Sequence, residues 1–183
     1  MKVKQTLLTI TCMAVLLMSG CSTAPNNTND TNDTNDTDTN STTTPQQEKA
    51  PFNVGETWTV DGQWTLTINS AVATEERNEF SDKKPAAVYI VDYTYTNTGY
   101  EDEDGIMDGL YISIEDSIVD SAGTMGYSYP GDIINYPQST PVGATCNAQA
   151  CIGVDNAGNF TLNVSKYDGT GKKQSAKFNV EVQ

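Results

Sequence analysis

Cysteine offers the most specific chemistry in this chain, because histidine is absent from it altogether. Without an imidazole there is no Ser-His-Asp or Cys-His catalysis, no His-ligated zinc and no ordinary neutral-pH proton shuttle. The thiols are Cys12, Cys21, Cys146 and Cys151. Cys146 and Cys151 flank Asn147, Ala148, Gln149 and Ala150. That spacing is not the Cys-X-X-Cys of a redox pair, and too few other ligands exist to complete a zinc site. In an exported protein the two are expected to oxidise to a disulfide across a hairpin or loop. So small a ring contributes only about 2 kcal/mol through chain entropy, enough to pin a turn and not to rescue a fold.

Three other groupings carry potential chemistry. Glu101, Asp102, Glu103, Asp104 and Asp108 crowd oxygen ligands around Gly105, and Asp102, Asp104 and Asp108 are the candidate ligands for calcium. The run lacks the EF-hand spacing and its closing glutamate, so the expected state is a solvated acidic loop with no metal. No cofactor is expected anywhere in the chain. Tyr127, Tyr129 and Tyr136 stand among Ser, Gly, Asn and Pro in the stretch 125–141. Binding loops use that composition to combine rigid aromatic surface with adaptable hydrogen bonds, and the same residues can also cap one end of a sandwich. Glu75 and Glu76 are adjacent carboxylates, but neighbours on a strand point to opposite faces and do not flank one glycosidic bond. An enzyme is not expected.

The elements that position these groups repeat with period two and are bounded by Gly, Asn, Asp and Pro, which is the pattern of half-buried strands. Trp64, Leu66 and Ile68 alternate with Thr65 and Thr67. Ala87, Tyr89, Val91, Tyr93 and Tyr95 share one face of the next strand, and the other face runs from Val88 and Ile90 to Asp92, Thr94 and Thr96. This is expected of a central strand whose tip reaches water. Leu110, Ile112 and Ile114, then Phe160, Leu162 and Val164, then Phe178, Val180 and Val182 continue the alternation. At least six strands make an all-β, two-sheet antiparallel sandwich.

The order of these motifs resembles a family. Val54, Gly55, Glu56 and Thr57 precede a Trp-Thr-Leu-Thr-Ile strand. The run from Val91 through Asn97, Thr98 and Gly99 follows, and later Val119, Asp120, Ser121, Ala122 and Gly123. Together they resemble the immunoglobulin-like (telokin-like) domains of Gram-positive surface lipoproteins. The resemblance spans about 51–183 and implies an immunoglobulin-like sandwich; its strand and turn signatures carry no catalytic residues.

The N-terminus supplies an address. Lys2 and Lys4 precede an apolar run from Leu7 to Met18, which at about 12 residues is well short of the roughly 20 that span a bilayer. It reads as a cleavable signal over residues 1–20. Leu17, Met18, Ser19 and Gly20 lead directly into Cys21, resembling the lipobox of bacterial lipoproteins, which implies diacylation of Cys21. Residues 21–50 then form a spacer of Asn, Thr, Asp, Ser, Gln and Pro that is expected to stay disordered. About 29 such residues reach on the order of 30 Å. Asn29, Asn32 and Asn35 match glycosylation acceptors, which in a bacterial lipoprotein are expected to be products of composition. A domain of roughly 130 residues follows, from 51 to 183.

A formal net charge of −14 disfavours nucleic acid and other polyanions as partners, because phosphate contacts need clustered Lys and Arg. It also opposes adsorption to an anionic bilayer, so membrane attachment is expected through the N-terminal lipid, on the extracellular face of the cell membrane. The resulting expectation is a cell-surface lipoprotein presenting a non-catalytic interaction module for an envelope or host protein or a glycan. The alternative is a structural or stress-related envelope lipoprotein without a specific ligand.

Overall fold

The structure, a computed structural model, describes residues 50–102 and 109–183. The expected signal, Cys21 and residues 22–49 of the spacer lie outside the described residues, as do Asp104 and Asp108. The described residues contain no helix, and none of them forms a helix long and apolar enough to cross a membrane. In chain order the strands are β1 (Phe52–Asn53), β2 (Thr57–Val60), β3 (Trp64–Thr74), β4 (Ala87–Asn97), β5 (Ile118–Val119), β6 (Tyr127–Ser128), β7 (Thr145–Val154), β8 (Phe160–Tyr167) and β9 (Lys173–Val180). They form two packed sheets, ordered β1-β9-β8-β5 and β2-β3-β4-β7-β6. The fold is an all-β, two-sheet sandwich. Every strand pairing is antiparallel except the two-residue edge pair β1–β9, where the chain enters the sandwich alongside its last strand.

Local chemistry accounts for the elements. β2 turns into β3 through Asp61 and Gly62, with Val60 paired to Trp64 and Gly62 at φ 68°, a backbone conformation that glycine adopts without steric cost. In β3, Trp64, Leu66 and Ile68 face inward, as their alternation requires. The register then skips Asn69, pairing Ile68 with Tyr93 and Ser70 with Asp92. This bulge reverses the parity, so Ala71 faces the core and the next apolar residue, Val72, faces out at 46% exposure. β4 lies at the centre of its sheet, with Tyr89, Val91, Tyr93 and Tyr95 inward.

Phe160, Leu162, Val164, Phe178 and Val180 close the core from the other sheet. Tyr89 and Phe160 stack across the interface with ring centroids 5.4 Å apart and planes 17° apart. Trp64 meets Trp58 and Tyr100 edge to face, at 81° and 71°. Its buried indole N–H has no hydrogen-bond acceptor, and aromatic faces at these angles are weak substitutes for one.

Two expectations are corrected here. Leu110, Ile112 and Ile114 are buried in alternation, but their segment is not a strand: Leu110 forms an isolated bridge with Thr140, and the Ile112 carbonyl accepts from the Tyr93 hydroxyl at 3.1 Å. A side chain supplies here what a ladder supplies elsewhere, so burial period and sheet pairing part company.

The second correction is the disulfide. Cys146 and Cys151 are both free and both lie within β7. Five strand residues advance about 16 Å, well past the roughly 7 Å between Cα atoms that a disulfide tolerates. The odd separation also sends the two thiols to opposite faces of the sheet. Cys146 packs against the main core, whereas Cys151 joins Val88 and Tyr129 in a second, smaller cluster. The run that suggested a hairpin is a strand whose inward residues, Ala148 and Ala150, are small.

Candidate functional site

The outward face of the five-stranded sheet changes character along its length. Ile90 is opposite Cys151 and Val88 opposite Gly153, which makes one end apolar. One pair further on, Asp92 is opposite Gln149 and accepts from its amide at 2.9 Å, with the Ser70 hydroxyl donating to the other carboxylate oxygen at 3.1 Å. Beyond these, Thr94 bonds Asn147 and Thr96 bonds Thr145. This end is a polar ladder that needs no cover.

The long connection from β6 to β7 covers the apolar end. Tyr129 donates its backbone N–H to the Cys151 carbonyl at 2.8 Å, and Gln149 donates its own to the Asn135 carbonyl at 2.7 Å. The Gln149 side-chain oxygen accepts from the Ile134 N–H at 3.0 Å. Between these anchors Gly131 lies so close to Cys151 that a Cβ on it would collide with the thiol sulfur, so the crossing needs glycine for closeness of approach. The connection from β3 to β4 is tied in by the Asn78 N–H, which donates to the Tyr129 hydroxyl at 2.9 Å.

Core tyrosines fix the remaining walls. Tyr93 holds the segment of Ile112, as above, and the Tyr95 hydroxyl both donates to the Gln138 carbonyl and accepts from its N–H. Fully buried Asn97 uses its amide to bond the Tyr100 and Thr140 carbonyls and its oxygen to accept from Gly99 and Tyr100. These bonds satisfy its whole side chain, as a buried amide requires.

Two adjoining hollows result, both bordered by the 130–132 crossing. One, of about 450 Å³, is lined by Thr74, Arg77, Phe80, Val88 and Ile90 among others. The other, of about 470 Å³, is lined among others by Tyr111, Glu115, Tyr129, Asp132, Tyr136 and Gln149. Asn78 and Cys151 border both. Such volumes match small-ligand sites of roughly 300–1,000 Å³. Exposed rings stand at the rims: Phe80 is 89% and Tyr136 62% exposed.

Ser128 and Glu115 both line the second hollow, where the Ser128 hydroxyl donates to the Glu115 carboxylate at 3.0 Å, and the thiol bordering both hollows, Cys151, is not activated. Burial, then the charges of Glu115 and Glu76, push the Cys151 thiol up to about 11, with Arg77 opposing and Asp132 adding to the rise. It is a thiol at neutral pH and not a thiolate, hence unreactive. Burial, with Tyr95, Tyr111 and Glu115 nearby, likewise raises the Tyr93 phenol far above its ordinary value.

Of the tyrosines singled out in sequence, the structure brings Tyr129 and Tyr136 together at one hollow. Tyr127 lines neither. Its ring packs over Gly153, its hydroxyl donates to Asp155 at 3.1 Å and Lys83 lies 4.9 Å above its face. Tyr111, Glu115, Asn78 and Gln149 were missed. Tyr111 had a signal: it is the aromatic on the outward side of the alternating run Leu110, Ile112 and Ile114.

For the calcium candidate, Asp102 is half-buried and its two companions fall outside the described residues. Among the described residues no three His, Cys, Asp or Glu side chains gather to hold a metal ion. Glu75 and Glu76 lie just past the end of β3, both exposed, so they are not strand neighbours at all. Compared with known proteins, the chain matches no protein-family model and no curated protein.

Proposed function

We propose that the chain is a cell-surface lipoprotein, anchored through diacylated Cys21, whose sandwich presents a non-catalytic interaction site on the outward face of the five-stranded sheet. The single observation that carries the site is the pair of hollows bordered by the 130–132 crossing and rimmed by exposed Tyr136 and Phe80. Long connections held by specific hydrogen bonds to the scaffold are a common basis for binding sites. Hollows of this size admit a sugar unit, a single side chain or a small molecule. The two-sheet architecture and the motifs near Val54, Val91 and Val119 support kinship with immunoglobulin-like domains of surface lipoproteins.

The test has two arms. Cys21→Ser is expected to release the protein from membranes into the soluble fraction. Sedimentation of that variant with membranes after a high-salt wash would refute the anchor. The full chain is expected to bind envelope fractions or host proteins saturably. Tyr136→Ala should lower that binding, while Tyr167→Ala, an exposed tyrosine on β8 of the other sheet, should leave it unchanged. Equal effects of the two substitutions would remove the site.

A further inference from the structure

We propose that the hollow bordered by Tyr111 and Tyr136 binds a small organic ammonium ion from solution, of the alkylated or quaternary kind; this rests on the interaction-site reading above and specifies its ligand.

Charge complementarity carries the argument. Tyr111, Tyr129 and Tyr136 border this hollow together with the carboxylates Glu115 and Asp132, and no Lys or Arg is among the described residues that line it. An aromatic face attracts a cation through its quadrupole, and a carboxylate attracts it through its charge. The attraction of a ring face acts over roughly 6 Å, so a cation held in this hollow of about 470 Å³ must come within that distance of the Tyr111 or Tyr136 ring. Alkylated ammonium suits this lining better than a metal ion, because its apolar surface is weakly hydrated and loses little on contact with rings.

Two further observations agree. Two tyrosine faces elsewhere hold lysines: Lys83 stands 4.9 Å from the Tyr127 ring centre and Lys166 4.6 Å from that of Tyr100. The second is the field beside the hollow. Glu115, Glu76 and Asp132 all act on the neighbouring Cys151 thiol in the sense that disfavours a negative charge there, with Arg77 opposing them. The same field favours a positive one.

A neutral sugar fits the volume of the hollow, can stack on Tyr136 and can donate hydroxyls to the carboxylates, but gains no net Coulomb attraction from their charge. Charge therefore separates the two classes, and the experiment is built on it.

Choline and its uncharged isostere 3,3-dimethylbutan-1-ol are titrated into the full chain in detergent, following tyrosine ring-proton shifts and binding heat. The expected result is saturable binding of choline, at least tenfold weaker binding of the alcohol, and shifts at Tyr111 and Tyr136. Tyr136→Ala and Glu115→Gln should each weaken choline about three- to tenfold, while Tyr167→Ala leaves it unchanged. Unaltered thermal midpoints of these variants confirm that the fold is intact. Equal binding of choline and the alcohol, or no saturable change with choline, overturns the ammonium. Tyr136-dependent binding of N-acetylglucosamine oligomers with none of choline also overturns it and leaves the interaction site standing. If Tyr136→Ala alters neither choline binding nor envelope binding, both readings fall together.

Discussion

The two faces of the five-stranded sheet are built from the same strands, yet they obey different rules. Inward, β4 and β7 present Tyr89, Val91, Tyr93, Tyr95, Ala148, Ala150, Ile152 and Val154 to a core closed by β8 and β9. Outward, the same strands present an apolar end covered by a chain crossing and a polar end left bare. The inner face is held by packing against another sheet, whereas the outer one is held by a smaller apolar cluster, a few hydrogen bonds and the close approaches of Gly131 to Cys151 and Gly153 to Tyr127. The larger core lies on the first, so the hollows on the second form without interrupting it.

The largest effect expected from this contrast follows truncation on the two faces. Ile152, fully buried, should cost about 2–5 kcal/mol as Ile152→Ala. Val72, on the outer face and 46% exposed, should cost less than about 1 kcal/mol as Val72→Ala. Urea denaturation of both decides it, and similar losses would erase the distinction.

A middle-sized effect is expected where the outer face is tightest. Gly131→Val drives a side chain into the Cys151 sulfur and should cost about 1–3 kcal/mol by overpacking. In a Cys151→Ala background the same change should cost clearly less, because the obstructing sulfur is gone. Additive losses would show that Gly131 is needed for its backbone and not for the contact.

Acid sharpens the contrast from outside both faces, since it tests hydrogen-bonded carboxylates and not packing. Asp168 is held down at about 2 by the Thr170 hydroxyl and the Gln174 amide, with burial opposing and the Lys172 and Thr170 N–H groups assisting. For Asp120, burial raises the value, but the bonds from the Asn156 side chain and from the Thr124, Ala122 and Asn156 backbones outweigh it and hold the carboxyl below the ordinary range. Both values are depressed by folding, so their contribution is present above the unfolded carboxylate value of roughly 4. It is lost as pH falls through the folded value. Denaturation midpoints should therefore decline from about pH 4 toward 2, and the decline should be shallower in Asp168→Asn.

The smallest expected effect is none. With both thiols free and on opposite faces, a reducing agent should leave the midpoint unchanged. The unfolded, non-reduced chain should show thiols at both Cys146 and Cys151. In the native state Cys151 should resist alkylation near neutral pH, because it is buried and its thiol stays protonated.

How legible these features were depends on how local their causes are. The inward residues of β4 and of β8 and β9 could be read directly, because a strand's two-residue period is written into the order of Tyr, Val, Phe and Leu. β7 was obscured by Ala148 and Ala150, whose small side chains mark an inward face weakly, and Cys146 and Cys151 then suggested a bridge that strand geometry forbids. The bulge at Asn69 was invisible, since nothing in Ile68, Asn69 and Ser70 announces a skipped register until β4 pairs with them. Of the residues lining the hollow, Tyr129 and Tyr136 were singled out from the composition of their loop. Gln149 and Glu115 were not, because they reach it from a strand and a segment distant in sequence.

The sequence by itself determined the all-β class, the alternation of its main strands, the lack of imidazole chemistry and the strongly acidic balance. All of these depend on residue type and nearest neighbours. Only the tertiary structure decided which sheet edge is parallel, which thiol faces which side and which tyrosines share a hollow. Those outcomes depend on chain crossings that bring residues dozens of positions apart into contact, and long-range contacts leave no periodic trace in the chain.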